Sequence, residues 1–156
     1  MARALILSGL TILCMAIATT SPVATAQQAD AFVGANSCQD CHMDYYEAWS
    51  KTKHSRALDK LTGRNRSSGE CIECHVTDTP EMLAATDDTP KFPNVQCEAC
   101  HGAGRAHVEA AKAGKAAAVK TSPADEQTCR RCHNLRSPNY KTFVYSALSG
   151  LVHPTR

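Results

Sequence analysis

Hydrophobic residues form one long run near the start of the chain and only short patterns after it. The run lies within residues 1–26, begins after Arg3 and leads to small residues at Ala24 and Ala26. This pattern is typical of a secretory signal peptide, which has a positively charged N-terminus, an apolar segment too short to span a membrane and small residues before the cleavage site. The sequence therefore predicts cleavage after Ala26 and a mature domain at 27–156, exported to the periplasm without stable membrane insertion. An uncleaved anchor is the alternative.

The mature part of the chain predicts helices of moderate length. Residues 41–61 contain neither glycine nor proline, and their apolar positions predict one continuous helix. Residues 105–120 predict an alanine-rich helix. A further helix is expected to begin with Ser122 as its N-cap and Pro123 as its first residue. The expected fold class is mainly α with extensive irregular loops.

Three segments interrupt this helical pattern. Residues 62–70 are polar and predict a linker, whereas the prolines within residues 76–95 predict a loop. The tail at 139–156 predicts a short extended segment. Aromatic residues make up only 5% of the chain, so a domain of this size would bury little apolar surface by itself. Something other than side chains has to fill its interior.

Cysteines supply the strongest pattern in the sequence. Apart from Cys14 in the signal segment, they all fall into four copies of Cys-x-x-Cys-His. This pentapeptide is the attachment signature of c-type haem, in which two thiols add to the porphyrin vinyl groups and the imidazole binds the iron. Residues three and four positions apart share a face of a helical turn, so the three side chains can converge on one macrocycle. The predicted attachment residues are Cys38, Cys41, Cys71, Cys74, Cys97, Cys100, Cys129 and Cys132, and the predicted proximal ligands are His42, His75, His101 and His133.

Two other uses of the cysteines are conceivable. An exported chain with an even number of cysteines could be a disulfide scaffold, and paired Cys-x-x-Cys units could bind zinc. Both leave the histidine of each copy unexplained. The sequence therefore favours a compact domain wrapped around four covalently bound haems, which replace the missing apolar core. Without haem the chain is expected to be largely unfolded. With a formal net charge of +2 and no basic block, the chain gives no sign of a nucleic-acid partner.

Three further histidines are candidates for second axial ligands. His54 follows His42 by about 18 Å along a continuous helix, whereas two imidazoles on one iron hold their nitrogens about 4 Å apart. His107 follows His101 too closely for the chain to pass around a porphyrin. Each is therefore expected to bind a haem other than that of the preceding motif.

The last of these histidines has more freedom. The chain between His133 and His153 includes a proline and a glycine and is long enough to return over the same haem. One iron then lacks a second histidine, and by elimination it is the iron held by His75. Its other face could be empty, bound to water or bound to a methionine, with Met82 a better candidate than Met43.

Two stretches resemble the cytochrome c-554 family of small multihaem cytochromes. They are FVGANSCQDCHMDYYEAWSKTKHSRAL at 32–58 and VQCEACHGAGRAHV at 95–108. The resemblance implies three haems with two histidine ligands each and a second haem that stays five-coordinate on its motif histidine. The implied pairs are His42 with His107, His101 with His54, and His133 with His153.

The chemistry of these ligands favours electron transfer. Two histidines close both faces of an iron to substrate, whereas one-electron transfer needs little rearrangement, and imidazole gives lower potentials than Met/His ligation. The sequence therefore predicts an electron carrier between redox protein partners and favours this role over that of an enzyme. The resemblance implies a multihaem oxidoreductase of nitrogen metabolism as the donor and a downstream cytochrome or quinone-linked carrier as the acceptor.

Two alternative functions stay open. A five-coordinate haem on His75 could bind and reduce a small ligand such as nitric oxide, which a high-spin ferric signal would support. Subunits could also stack into a conductive filament in which His153 binds the haem of a neighbouring subunit.

Overall fold

The computed structural model describes residues 31–87 and 89–153. The signal peptide predicted at 1–26 lies outside these residues, and so does the start of the mature domain. Within the two described ranges, no helix is both long enough and apolar enough to cross a membrane.

The described residues fold into short helices joined by turns and irregular chain. In this part of the protein, β structure is limited to one isolated antiparallel bridge between Val76 and Pro93. The predicted fold class, mainly α with extensive irregular chain, is confirmed. The α-helices are α1 (Ala35–Gln39), α2 (Met43–Ser50), α3 (Gly69–Ile72), α4 (Pro80–Ala84), α5 (Cys97–His101), α6 (Arg105–Lys112), α7 (Glu126–Arg130) and α8 (Tyr145–Leu148); 3₁₀ turns cover His54–Arg56, Leu58–Lys60, Gly63–Ser67, Ala116–Ala118 and Ser149–Leu151.

The single helix predicted over 41–61 is wrong. Helix α2 ends at Ser50, and the chain continues through a turn into two 3₁₀ segments. The Thr52 hydroxyl donates to the Trp49 carbonyl at 2.7 Å, and the Ser55 hydroxyl donates to the Ser50 carbonyl at 2.7 Å. Hydroxyls that bond nearby carbonyls compete with the helical ladder, so this helix ends without a glycine or a proline.

The alanine-rich helix predicted over 105–120 is also shorter than expected, because α6 ends at Lys112. Gly114 follows with a φ of 71°, the left-handed conformation that glycine adopts most readily. The Lys115 N–H then donates back to the Ala110 carbonyl at 2.7 Å, as at helix ends closed by glycine.

Helix α7 begins at Glu126 with Asp125 as its N-cap, so the prediction of Ser122 as the cap is wrong. The Asp125 carboxylate accepts hydrogen bonds from the backbone N–H and the hydroxyl of Thr128, both at 2.8 Å. Ser122 is engaged elsewhere: its N–H donates to the His101 carbonyl at 3.0 Å, and its own carbonyl lies 2.9 Å from the His101 ring.

The segments predicted as linker, loop and extended tail each contain a helical turn. The linker at 62–70 includes a 3₁₀ turn, and the loop at 76–95 includes α4. The N-cap of α4 is Thr79, whose hydroxyl accepts from the Met82 N–H at 3.3 Å. The tail forms α8 instead of an extended segment.

Apolar side chains build only a small core in the described residues. The cluster contains one residue of the second attachment motif, Ile72, which is completely buried. The other three motifs contribute no residue to it. Its members are Leu58, Ile72, Val76 and Leu83, with Leu61 packed against them.

A polar network folds the loop after the second motif back on itself. We call residues 91–96, together with Thr77 and Asp78, the clasp. The buried Asp78 carboxylate accepts from the N–H groups of Lys91 at 2.8 Å and Phe92 at 2.7 Å. The Thr77 N–H donates to the Phe92 carbonyl at 3.0 Å. These bonds fix the chain that leads into the third motif.

The clasp also holds the segment that carries His54. The Trp49 indole N–H donates to the Val95 carbonyl at 2.8 Å, and the Val95 N–H donates to the His54 carbonyl at 3.1 Å. The Asn94 side-chain oxygen accepts from the Leu58 N–H at 2.9 Å. The chain is thus anchored on both sides of His54.

Candidate haem sites

Each Cys-x-x-Cys-His motif forms a helical turn. In the first and fourth motifs, the histidine N–H donates to the carbonyl of the first cysteine, at 2.9 Å for His42 and 3.0 Å for His133. The third motif makes up the whole of α5. In the second motif the turn is tighter, because the His75 N–H donates at 2.8 Å to the carbonyl of Ile72. Such turns bring two thiols and one imidazole to one side of the backbone.

Six histidines come together as three facing pairs. Each pair combines the histidine of an attachment motif with a histidine from elsewhere in the chain, as an axial ligand pair requires. The ring centroids are 6.2 Å apart for His42 and His107, 6.0 Å for His54 and His133, and 5.9 Å for His101 and His153.

These separations fit two imidazoles on opposite faces of one iron. A metal–nitrogen bond of about 2 Å and a further distance of about 1.1 Å from nitrogen to ring centre put two such rings about 6.2 Å apart. The ring separation in each of the three pairs therefore suits ligation of one haem iron.

The pairing differs from the one that the resemblance implies. His42 faces His107 as expected, but His54 faces His133, and His101 faces His153. The expected pairs of His101 with His54 and of His133 with His153 are wrong. The two exclusions drawn from chain geometry agree with the structure, because His54 does not face His42 and His107 does not face His101.

The path of the tail explains why His153 does not return over His133. The Phe143 ring stacks on the His133 ring with centroids 4.7 Å apart. The chain then turns through α8 and brings His153 beside α2, where the rings of Tyr45 and His153 meet edge to face at 5.1 Å. This position brings His153 to His101.

Backbone carbonyls orient three of the imidazoles. The Nδ1 atom lies 2.6 Å from the Ala57 carbonyl in His75, 2.9 Å from the Ser122 carbonyl in His101 and 2.7 Å from the Val119 carbonyl in His107. A carbonyl can only accept a hydrogen bond, so Nδ1 carries the proton in each ring. Nε2 is then the free nitrogen that can bind iron, a common arrangement at metal sites.

The environment of one pair favours neutral imidazoles. Burial lowers the pKa of His54, and the nearby His133 lowers it further. Burial also lowers the pKa of His133. Because a metal binds the neutral ring, these shifts favour iron ligation by this pair.

Cysteines of different motifs lie next to one another. Their thiol sulfurs stand where the thioether sulfurs of attached haem would be. The thiol of Cys38 lies beside that of Cys97, and the thiol of Cys74 lies beside that of Cys132, whose proximity lowers the pKa of Cys74 to about 7. The Cys100 thiol is close enough to Cys129 for repulsion between thiolates to raise the pKa of Cys100 further, beyond the effect of burial. The first motif therefore adjoins the third, the third adjoins the fourth and the fourth adjoins the second.

His75 is the histidine that faces no other imidazole among the described residues. Its Nδ1 atom contacts the Ala57 carbonyl. Met82, which lies in α4 after the second motif, is 2% exposed. Met43 lies at the surface next to the first motif with 47% exposure.

Sequence reasoning missed several residues at these sites. The carbonyls of Ala57, Val119 and Ser122 carry no signal in the sequence, because any residue supplies a carbonyl. Phe143 and Tyr45 pack against ligand rings, and their aromatic type was the only sign of this role. All eight cysteines in the described residues are free of disulfides. In the same residues, no three acidic, histidine or cysteine side chains are grouped to hold a metal ion by themselves.

Comparison with known proteins finds one family with a similar segment. Residues 37–102, which include the first three motifs, match the sequence model described as "Cytochrome c554 and c-prime". This segment of the chain is therefore similar to the cytochrome c554 family. Proteins of that family are c-type cytochromes, which bind haem covalently and exchange electrons with redox protein partners.

One solved structure is similar to this chain. It is the reduced state of cytochrome c554 from Nitrosomonas europaea, which is 22% identical over 77% of each chain with a TM-score of 0.47. Among curated proteins, none matches the chain.

Proposed function

We propose that this cytochrome is an exported, periplasmic electron carrier whose mature domain, residues 27–156, binds four haems. The observation that carries the proposal is the set of three facing imidazole pairs, each with one motif histidine. With His75, these pairs account for every histidine of the chain and for all four attachment motifs.

The pairs support a ligand set for three of the four proposed haems. His75 serves the second haem, with no second histidine. The proposed ligands are His42 and His107 for the first haem, His101 and His153 for the third, and His133 and His54 for the fourth. The proposed attachment residues, from the first haem to the fourth, are Cys38/Cys41, Cys71/Cys74, Cys97/Cys100 and Cys129/Cys132.

The roles of the residues follow from these ligand sets. Haem iron supplies a redox couple that gains and loses one electron. Paired imidazoles close both faces of an iron to water and substrate and favour a low potential. The carbonyls of Val119 and Ser122 hold two of these rings in one orientation, so that little movement accompanies a change of charge. The three haem sites with paired imidazoles are therefore suited to electron transfer and not to substrate chemistry.

The neighbouring motifs support a route for electrons that differs from the order of the sequence. The contacts Cys38–Cys97, Cys100–Cys129 and Cys74–Cys132 link the first haem to the third, the third to the fourth and the fourth to the second. The first and second haems lie at the two ends of this route. We expect one partner to exchange electrons at each end.

The second haem supports a minor second function. Because His75 faces no imidazole, its iron could accept water, Met82 or a small ligand such as nitric oxide. Reduction of that ligand would be a side activity at one end of the electron route.

The position of His153 bears on assembly. Its ring faces His101 of the same chain, which supports ligation within one subunit over donation to a neighbour in a filament. The proposed partners are a multihaem oxidoreductase as donor and a downstream cytochrome or quinone-linked carrier as acceptor.

The test is a haem count combined with spectroscopy of the purified exported protein. Mass spectrometry should show the mass of residues 27–156 plus four haems, and full reduction should take four electrons. Electron paramagnetic resonance (EPR) of the ferric protein should show three low-spin haems and one high-spin haem. A lower haem count would overturn the proposal, whereas a fourth low-spin haem would remove only the open site at His75.

A further inference from the structure

Glu98 is a buried acidic residue inside the third attachment motif. It occupies the position directly after the first cysteine and is only 4% exposed. The residues at the same position of the other motifs are Gln39, Ile72 and Arg130. A carboxylate is costly to bury unless hydrogen bonds compensate for the loss of water, so its surroundings indicate what it does.

Four backbone hydrogen bonds compensate this carboxylate. The Val33 N–H donates to both of its oxygens at 3.0 and 3.1 Å, and the Gly34 N–H donates to Oε2 at 2.7 Å. The Gly104 N–H donates to Oε1 at 2.7 Å. Short bonds from N–H groups to a charged acceptor are among the stronger hydrogen bonds of proteins.

The two groups of donors lead to the two axial ligands of the first haem. Gly34 is the N-cap of α1, which carries Cys38 and leads directly into His42. Gly104 is the N-cap of α6, whose first turn contains His107. One carboxylate thus joins the chain on one side of the His42–His107 pair to the chain on the other side.

We infer that Glu98 is a positioning residue that sets the distance between His42 and His107 and so keeps His107 on the first haem. The inference rests on the proposed function, in which these two rings share an iron. His42 is also tied to its haem through two thioether bonds, whereas His107 has no covalent tie. Loss of the carboxylate should therefore release His107 and leave the other haems unaffected.

The first test replaces Glu98 by Gln. The amide keeps the shape of the side chain, but it offers one acceptor oxygen instead of two, and its NH₂ group would face a backbone N–H. The exposed Glu70, which directly precedes the second motif, provides the matched control Glu70→Gln. The probe is cyanide added to the ferric, fully loaded protein, and the readouts are the number of haems that bind it, the rate of binding and the EPR spectrum.

In Glu98→Gln, we expect cyanide to bind one haem more than in wild type. Its binding to the first haem should be at least about tenfold faster than in wild type, the factor that corresponds to a weakened hydrogen bond of about 1.4 kcal/mol. The EPR signal of one low-spin haem should broaden or convert to high spin. Glu70→Gln should behave as wild type. A combined Glu98→Gln/His107→Ala variant should differ little from His107→Ala, because both changes act on the same ligand.

A second variant keeps the inference testable if Glu98→Gln does not mature with four haems. A Cβ atom at Gly104 would lie 3.0 Å from Oε1 of Glu98, which displaces the carboxylate by a few tenths of an ångström without a strained backbone. Gly104→Ala should therefore give the same change at the same haem, to a smaller extent.

The outcomes separate this inference from the proposed function. If wild type shows three low-spin haems and Glu98→Gln binds cyanide as the control does, the inference is wrong and the proposed function stands. Equal changes at all haems, or failure of both variants to load haem, would show a general structural role and would also overturn it. If the His107→Ala change affects no low-spin haem signal of wild type, His107 is not a haem ligand. The ligand set of the proposed function is then wrong, independently of Glu98.

Discussion

The angle between the imidazole planes distinguishes the three histidine pairs at the scale of single residues. The planes lie within 19° of each other for His42 and His107 and within 22° for His101 and His153, but at 66° for His54 and His133. Axial ligands are a main lever on the electronic structure of a haem. Nearly parallel imidazoles split the iron d orbitals and give a rhombic low-spin EPR signal, whereas strongly crossed imidazoles leave them nearly degenerate and shift the signal to a larger g value.

The variant His54→Ala tests this pair directly. We expect the large-g signal to disappear, one further haem in four to become high-spin and both rhombic signals to remain. The matched control is His153→Ala, which should remove one rhombic signal and keep the large-g signal. If His54→Ala removed a rhombic signal instead, the pairing of His54 with His133 would be wrong.

At the scale of elements, the clasp determines where His54 is held. Asn94 has a φ of 69°, a left-handed conformation that asparagine tolerates better than most residues. Its side chain also satisfies the Leu58 N–H beside the buried Leu58 side chain. One residue thus closes the clasp and fixes the chain that follows His54.

The variant Asn94→Ala should lower the free energy of unfolding by about 2 kcal/mol, because it leaves a partly buried N–H without its partner and places alanine in a left-handed conformation. Denaturant unfolding followed by circular dichroism measures this change. Asn65→Ala, at an exposed position in a 3₁₀ turn, should change it by less than about 0.5 kcal/mol. Equal effects of the two changes would contradict the role of the clasp.

The N-cap of α7 makes a pH-dependent contribution to the helix in which the fourth motif begins. Hydrogen bonds from the backbone and the hydroxyl of Thr128 lower the pKa of Asp125 below its ordinary value of 3.8. Because the pKa is lower in the folded chain, the contribution is complete above pH 3.8 and is lost as the pH falls through the folded value.

Two variants separate the charge from the cap. Asp125→Asn keeps a capping oxygen, so its thermal midpoint at pH 7 should be close to that of wild type. In acid, its midpoint should fall less than that of wild type. Asp125→Ala should lower the midpoint at pH 7 as well. The exposed Asp59→Asn is the control and should follow wild type in thermal melts at both pH values. A steep acid loss that persists unchanged in Asp125→Asn would contradict this account.

Helix positions could be predicted from the sequence better than helix ends. The attachment turns form as expected because Cys-x-x-Cys-His encodes its own local geometry. The end of α2 depends on how the hydroxyls of Thr52 and Ser55 bond, and α7 is capped by Asp125 and not by Ser122, which is bonded to the distant His101. Gly114 is the one local signal for an early end that could have been used.

At the scale of the whole molecule, the sequence identifies the ligands but not their partners. All seven histidines were singled out, because each motif supplies one and only three remain. Which ring faces which depends on the path of the chain over long separations, as with His54 and His133. Phe143 directs that path by packing on His133, and such a contact leaves no trace in the spacing of residues.

We also expect the whole molecule to need haem in order to fold. Its longest described helices, α2 and α6, contain eight residues each, whereas isolated helices shorter than about 12 residues are marginal in water. The apolar cluster around Ile72 covers one attachment motif of four. We therefore expect chain produced without haem attachment to lose most of the helical far-UV circular dichroism signal of the loaded protein. A variant with Cys71→Ala and Cys74→Ala should lose less, because the cluster still supports the second motif and three haems remain. Haem-free chain with the full helical signal would show that side chains alone suffice to build this fold.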